Sequence, residues 1–247
     1  LIKFWIGKAS SANKGVDTAN GYNYPQLISK FILGAVFYHQ AVDNYLDEKM
    51  TAKNKPNNKP YKKGKHYTGK EHSWDEAFGY FGFPAHGLKL SPAQLYDIAK
   101  RKPAGAGYAD ADGDGKVDLY DEMVFGPAYY AAGSDKSKKT NYAQTIGRAF
   151  IDGRKLIASA DGNALTDAQR AQLMKYARTI ETAWEQTLAE ATFKYAGSCF
   201  KDLKAIKANP SDAKAVAKYI KHWGELKGFS LAMQTGRKNL GETATRL

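Results

Sequence analysis

The residues best equipped to do chemistry lie between Asp110 and Asp121, DADGDGKVDLYD. Carboxylates stand at loop positions 1, 3, 5, 9 and 12, glycine at 6, where the chain must turn sharply, and valine at 8, which is the spacing of an EF-hand calcium loop. Oxygen ligands from Asp110, Asp112, Asp114, the Lys116 carbonyl and Asp121, with Asp118 direct or through water, would surround a hard cation. The expected cofactor is Ca2+. One loop without a paired partner, joining Gly-rich sequence to a helix near 119–132, reads as a staple rather than a sensor. Occupancy at millimolar calcium points outside the cytoplasm.

Position 12 of the loop is aspartate where signalling EF-hands carry a bidentate glutamate, as in dockerin-type loops, so looser coordination is expected. A second constellation pairs histidine with acid. His72 precedes Asp75 and Glu76, and His222 precedes Glu225. Offsets of three and four residues share a helix face, so imidazole and carboxylate can converge on one transition metal, Fe or Zn. The alternative is a histidine and an acid hydrogen-bonded to each other inside a bundle. Within the same stretch, Thr68 and Glu71 form a T-x-x-E capping box, which assigns Glu71 to the helix start. No H-E-x-x-H, G-x-S-x-G or Walker phosphate loop is present, so no catalytic residue is assigned.

The elements that must hold these groups read as helices. Pro25 opens an apolar-periodic segment over 25–49, Thr68 with Glu71 caps the next, Ser91 with Gln94 another, Thr166 with Gln169 a long one, and Ser211 the last. Alternating strands with hairpin turns are absent, and the fold class expected is all-α, a helical bundle. Trp74 to Tyr80 and Trp223 to Phe229 share W-x-E-x-x-G-aromatic. This repetition suggests a duplicated bundle of two pseudo-symmetric halves with the calcium loop inserted, both tryptophans buried and both glycines, Gly79 and Gly228, at close helix contacts. The expected organisation is an irregular segment 1–24, a first half 25–100, the loop insertion and short helix 101–139, and a second half 140–247.

Of the 247 residues, 43% are apolar, enough for a substantial core, and no run nears the ~20 apolar residues of a membrane helix. Cys199 alone cannot form an internal disulfide, and in a helical apolar pattern it reads as a core residue. Net charge is +12, yet much of the excess sits in Lys49 to Lys70, a Lys/Asn/Pro/Gly segment expected to be a solvated loop. No nucleic-acid-binding motif accompanies it, and nucleic acid is not an expected partner. The chain starts at Leu1, so a signal or lipid anchor, the one expected link to a membrane, would lie outside these residues.

The runs ISKFILGAVFYHQAVDNYL and YTGKEHSWDEAFGYFG resemble imelysin-like proteins, in the uncharacterised branch found on bacterial envelope lipoproteins. The resemblance is specific over 28–82 and weaker from 141 to 247. It implies a duplicated helical bundle in the periplasm or on the cell surface, tied to iron uptake. In the family's G-x-H-x-x-E motif, His222 and Glu225 supply H-x-x-E with Ile220 in place of glycine, while His72 is followed by Asp75 at the acid position. The expected function is a calcium-stapled envelope protein that binds iron or another transition metal. An imelysin-type peptidase and a surface module holding an envelope or surface protein partner are the alternatives.

Overall fold

The computed structural model describes residues 1–11, 13–51, 53–235 and 241–242, and its described residues are mostly helical. They divide into two compact units, Leu1–Val36 with Leu188–Leu247, and Phe37–Thr187. The helices are α1 Ile2–Ala9, α2 Tyr24–Phe31, α3 Gly69–Phe81, α4 Pro92–Ala99, α5 Pro103–Ala109, α6 Gly126–Asp135, α7 Tyr142–Ser159, α8 Asp167–Ala208 and α9 Ala213–Met233. One two-residue antiparallel pair, β1 Val16–Asp17 with β2 Tyr22–Asn23, precedes α2.

In the first unit α2 lies along α9. Asn23 caps α2 by accepting the Gln26 amide at 3.1 Å, with Pro25 in the first turn. Beyond Phe31 the backbone widens into π-helical turns at Ile32–Phe37 and Gln40–Tyr45, where periodicity alone predicted one regular helix to 49. The two helices touch through small residues. A Cβ on Gly224 would lie 2.9 Å from the Asn23 carbonyl, one on Gly228 2.7 Å from the Leu27 carbonyl, and one on Gly34 2.7 Å from the Ala232 methyl. Trp5, Tyr24 and Leu27 form a core cluster there, with Trp5 edge-on to Phe31 at 5.2 Å. The cap of α9 is Asp212, which accepts the Lys214 and Ala215 amides, one residue after the expected Ser211.

The second unit is organised by α3 against α7. Thr68 and Glu71 exchange both capping-box hydrogen bonds, as do Ser91 and Gln94 at α4 and Thr166 and Gln169 at α8. Trp74 is 1% exposed, and its indole N–H donates to the Phe150 carbonyl at 2.8 Å. Its ring occupies a notch that α7 leaves at Gly153, where any Cβ would overlap the indole. A second notch, at Gly147, receives Phe83, to which a Cβ would come within 2.6 Å. Phe81, Phe150 and Trp184 close the core around these contacts.

The two W-x-E-x-x-G-aromatic segments sit in different surroundings. Trp74 is fully buried, whereas Trp223 is half-buried. Gly228 is pressed on α2, whereas nothing lies within 4 Å of a Cβ built on Gly79. Cys199 is buried as expected, and burial pushes its thiol up to about 11, away from reactivity.

The Lys-rich segment is pinned rather than simply solvated. Asn57 is 3% exposed; it accepts from the Thr68 hydroxyl at 2.7 Å and donates to the Ile157 and Asn163 carbonyls. Lys70, also 3% exposed, donates to the carbonyls of Lys49, Thr51 and Asn54 at 2.8 to 2.9 Å. Burial, with repulsion from Arg170 added, lowers its ammonium to about 8, while the three carbonyls favour the charged form.

The glycine notches generate a paired prediction. Gly153→Ala should lower stability by about 1–3 kcal/mol through overpacking against Trp74. Gly79→Ala, at an exposed helix position with open space, should raise it by up to about 1 kcal/mol. Urea midpoints at unchanged m-value measure both; equal shifts would remove the notch from the account of the core.

Candidate functional site

The acidic loop begins at the end of α5, and the segment that follows α3 clasps it at both ends. The His86 ring Nε2 donates to the Tyr108 carbonyl at 2.8 Å, on the α5 side. On the far side the Ala85 amide donates to the Asp121 carbonyl at 2.7 Å, and the Phe125 amide to the Gly82 carbonyl at 3.1 Å. Gly82 terminates α3 at φ +77°, the left-handed conformation that glycine adopts without strain, and a Cβ there would strike Phe125. The core contact of α3 with α7 is thereby transmitted to the loop.

Inside the loop the carboxylates fold the backbone around themselves. Asp110 accepts the amides of Gly113 at 2.8 Å and Gly115 at 3.0 Å, Asp112 that of Asp114, Asp114 that of Lys116, and Asp118 that of Tyr120. Gly113 and Gly115 take φ of +77° and +81°, which supplies the sharp turn expected at loop position 6. The acids the structure brings together are Asp110, Asp112 and Glu122, with ligand oxygens within 4.8 Å of one another. Glu122 is 5% exposed and accepts the Ala111 and Asp118 amides, both at 2.7 Å. It follows position 12 and was not among the residues singled out by spacing. Asp121 itself is exposed, with its carbonyl held by Ala85. Each of the three converging carboxylates retains lone pairs beyond its amide bonds, and an all-oxygen donor set suits a hard divalent cation.

The histidine and acid groups are distributed differently. His72 Nε2 lies 2.8 Å from Glu76 Oε1, and its ring stacks with Tyr61 and Tyr67 at centroid distances of 3.7 and 5.7 Å. Asp75 is gripped by the Arg154 Nε at 2.9 and 3.1 Å, and the same guanidinium reaches Glu71 at 2.8 Å. In the other unit, His222 Nδ1 lies 2.6 Å from Asp202, not from Glu225. Glu225 is 5% exposed, with one carboxylate oxygen 3.6 Å from the Lys30 ammonium. A further pair, His39 with Asp43 at 2.7 Å, is not among the histidine–acid pairs expected from the sequence. Its i, i+4 offset was readable, but it lies outside the repeated tryptophan pattern. Among the described residues, the group of three or more His, Cys, Asp or Glu able to hold an ion is the one in the acidic loop.

The Glu122 environment has a pH consequence. The Asp118 amide, and then that of Ala111, hold its carboxyl below the ordinary glutamate value. A depressed folded value means that its contribution is present above the unfolded range and lost as pH falls through the folded one. In EDTA, wild type should therefore lose melting temperature more steeply than Glu122→Gln once pH drops below about 4.3. Parallel curves would mean that the carboxylate does not organise the loop.

A family model described as a domain of unknown function, DUF4856, matches residues 6–95. The match runs from within α1 into α4; it contains the clasp segment 82–86 and the stretch 28–82 of the imelysin-like resemblance, and it ends before the acidic loop. No curated protein matches the chain, and no solved structure does.

Proposed function

We propose that this chain is a calcium-stapled helical binding protein of the bacterial envelope. The observation that carries the reading is the convergence of Asp110, Asp112 and Glu122 in a loop whose acids and glycines follow calcium-loop spacing. Glu122 in this role supplies the glutamate that position 12 lacks. The ion's work is structural: it neutralises clustered carboxylates between α5 and the segment entering α6, joining two chain ends that Ala85 and His86 already bring together. A loop exposed to solvent and built for an ion of millimolar abundance fits an extracytoplasmic setting.

A second reading retains the transition-metal expectation. His222 with its Nδ1 on Asp202 has the carboxylate–histidine arrangement that orients an imidazole and presents Nε2 to a ligand. On the imelysin-like resemblance, that ligand would be Fe or Zn. Zinc titrated by calorimetry at neutral pH, with calcium saturating, should bind wild type and lose affinity in His222→Ala; equal binding would return the pair to a packing role.

For the staple, calcium at about 100 times its dissociation constant should add about 2.7 kcal/mol of stability. Asp112→Ala with Glu122→Gln should abolish the increment, whereas Asp121→Asn should retain most of it. A melting temperature unchanged between calcium and EDTA would sink the proposal.

A further inference from the structure

Beside the acidic loop, α4 ends in a Schellman turn. The Lys102 amide donates to the Asp97 carbonyl at 3.1 Å and the Arg101 amide to the Ile98 carbonyl at 2.9 Å. The residue at the left-handed position is Arg101, at φ +50°, where glycine is favoured and any side chain is strained. Its guanidinium is exposed, and no carboxylate among the described residues pairs with it. The neighbouring Lys102, by contrast, is engaged by Asp97 at 2.7 Å.

Arg101 and Lys102 both line a groove of about 350 Å³. One side is Ile98 of α4 with Pro103 and Ala106 of α5; the other is Val117 and Leu119 of the acidic loop with Met123 just past it. The volume is that of a small-molecule site, and α5 is held tightly against α4, since a Cβ on Gly105 would lie 2.6 Å from the Asp97 carbonyl. Leu119 is 73% exposed, so this wall is an apolar surface still open to solvent. An apolar trough lined by one guanidinium with no carboxylate partner matches an apolar body that ends in an anion, and the planar fork of arginine suits a carboxylate.

We propose that this groove binds an apolar monocarboxylate, with Arg101 as its anion partner, and that binding is positively coupled to the cation of the acidic loop. The coupling rests on the calcium reading. Its physical basis is that the wall residues are interleaved with Asp118, Asp121 and Glu122, in a loop that also carries Asp110, Asp112 and Asp114. Bare, that cluster repels a carboxylate; a bound divalent ion removes two negative charges and orders the wall. By linkage the ligand must tighten calcium by the same factor.

The probe is sodium octanoate, titrated by calorimetry into the calcium-loaded protein and into the protein in EDTA, with octyltrimethylammonium as the cationic counterpart. Octanoate should bind with calcium present and at least about fivefold more weakly without it, and the cation should not bind. Arg101→Gly should weaken octanoate about tenfold, the loss of a charge-assisted hydrogen bond, while melting at or above the wild-type temperature because glycine relieves the backbone. That opposition of stability and binding separates a ligand role from a structural one. No octanoate binding to calcium-loaded wild type, or undiminished binding in Arg101→Gly, would overturn the site. Equal octanoate affinity with and without calcium, where calcium does raise the melting temperature, would overturn the coupling. If calcium leaves melting unchanged, the staple reading fails with the coupling, and an Arg101-dependent octanoate signal still upholds the groove.

Discussion

The second unit depends on the indole of Trp74 finding no side chain at Gly153. Two positions of α7, Gly147 and Gly153, are notches filled by Phe83, just past the end of α3, and by Trp74 of α3. The buried indole N–H then needs an acceptor and takes the Phe150 carbonyl, which ties the depth of insertion to a hydrogen bond as well as to shape. From this contact the chain leads directly to the candidate site: α3 stops at Gly82, Phe83 is held in its notch, and Ala85 and His86 grip the two ends of the acidic loop. A loop rich in like charges is poorly placed to organise itself. Here the segment that grips its ends follows directly from a helix anchored by the buried Trp74.

What could be read from the sequence divides along the same line between local and long-range causes. The caps at Thr68, Ser91 and Thr166 were legible because each needs only residues three apart. The sharp turn of the acidic loop was legible for the same reason. Glu122 was not, because it lies past position 12 and next to Asp121, whose carbonyl is held by Ala85 from a distant segment. Nor were the partners of the histidines. Asp75 is at the right offset from His72 on the helix, but Arg154 of α7 occupies it; Glu225 is at the right offset from His222, but Asp202 of α8 is the acid that arrives. Helical spacing says which groups share a face, not what the opposite face presents.

The repeated W-x-E-x-x-G-aromatic pattern makes the point within one chain. In α9 the glycines are the contact, with Gly224 and Gly228 against α2 and its cap and Ala232 against Gly34 just beyond it; in α3 the tryptophan is the contact and nothing lies within 4 Å of a Cβ on Gly79. One pattern therefore serves two packing solutions, and its recurrence carries less about architecture than the notches on α7, which no motif marks.

Lys70 shows a different way of ordering charged backbone. Its ammonium sits among three carbonyls from Lys49, Thr51 and Asn54, a coordination that a loop would otherwise have to find in a metal ion. Because this cation is covalently tethered to α3, it cannot be chelated, exchanged or outcompeted by another ion, although burial makes its charge sensitive to pH near 8. The Lys-rich segment thus carries a tethered counterpart to a bound ion, and at pH below about 8 its shape should persist through changes of ionic composition that would empty an ordinary cation site.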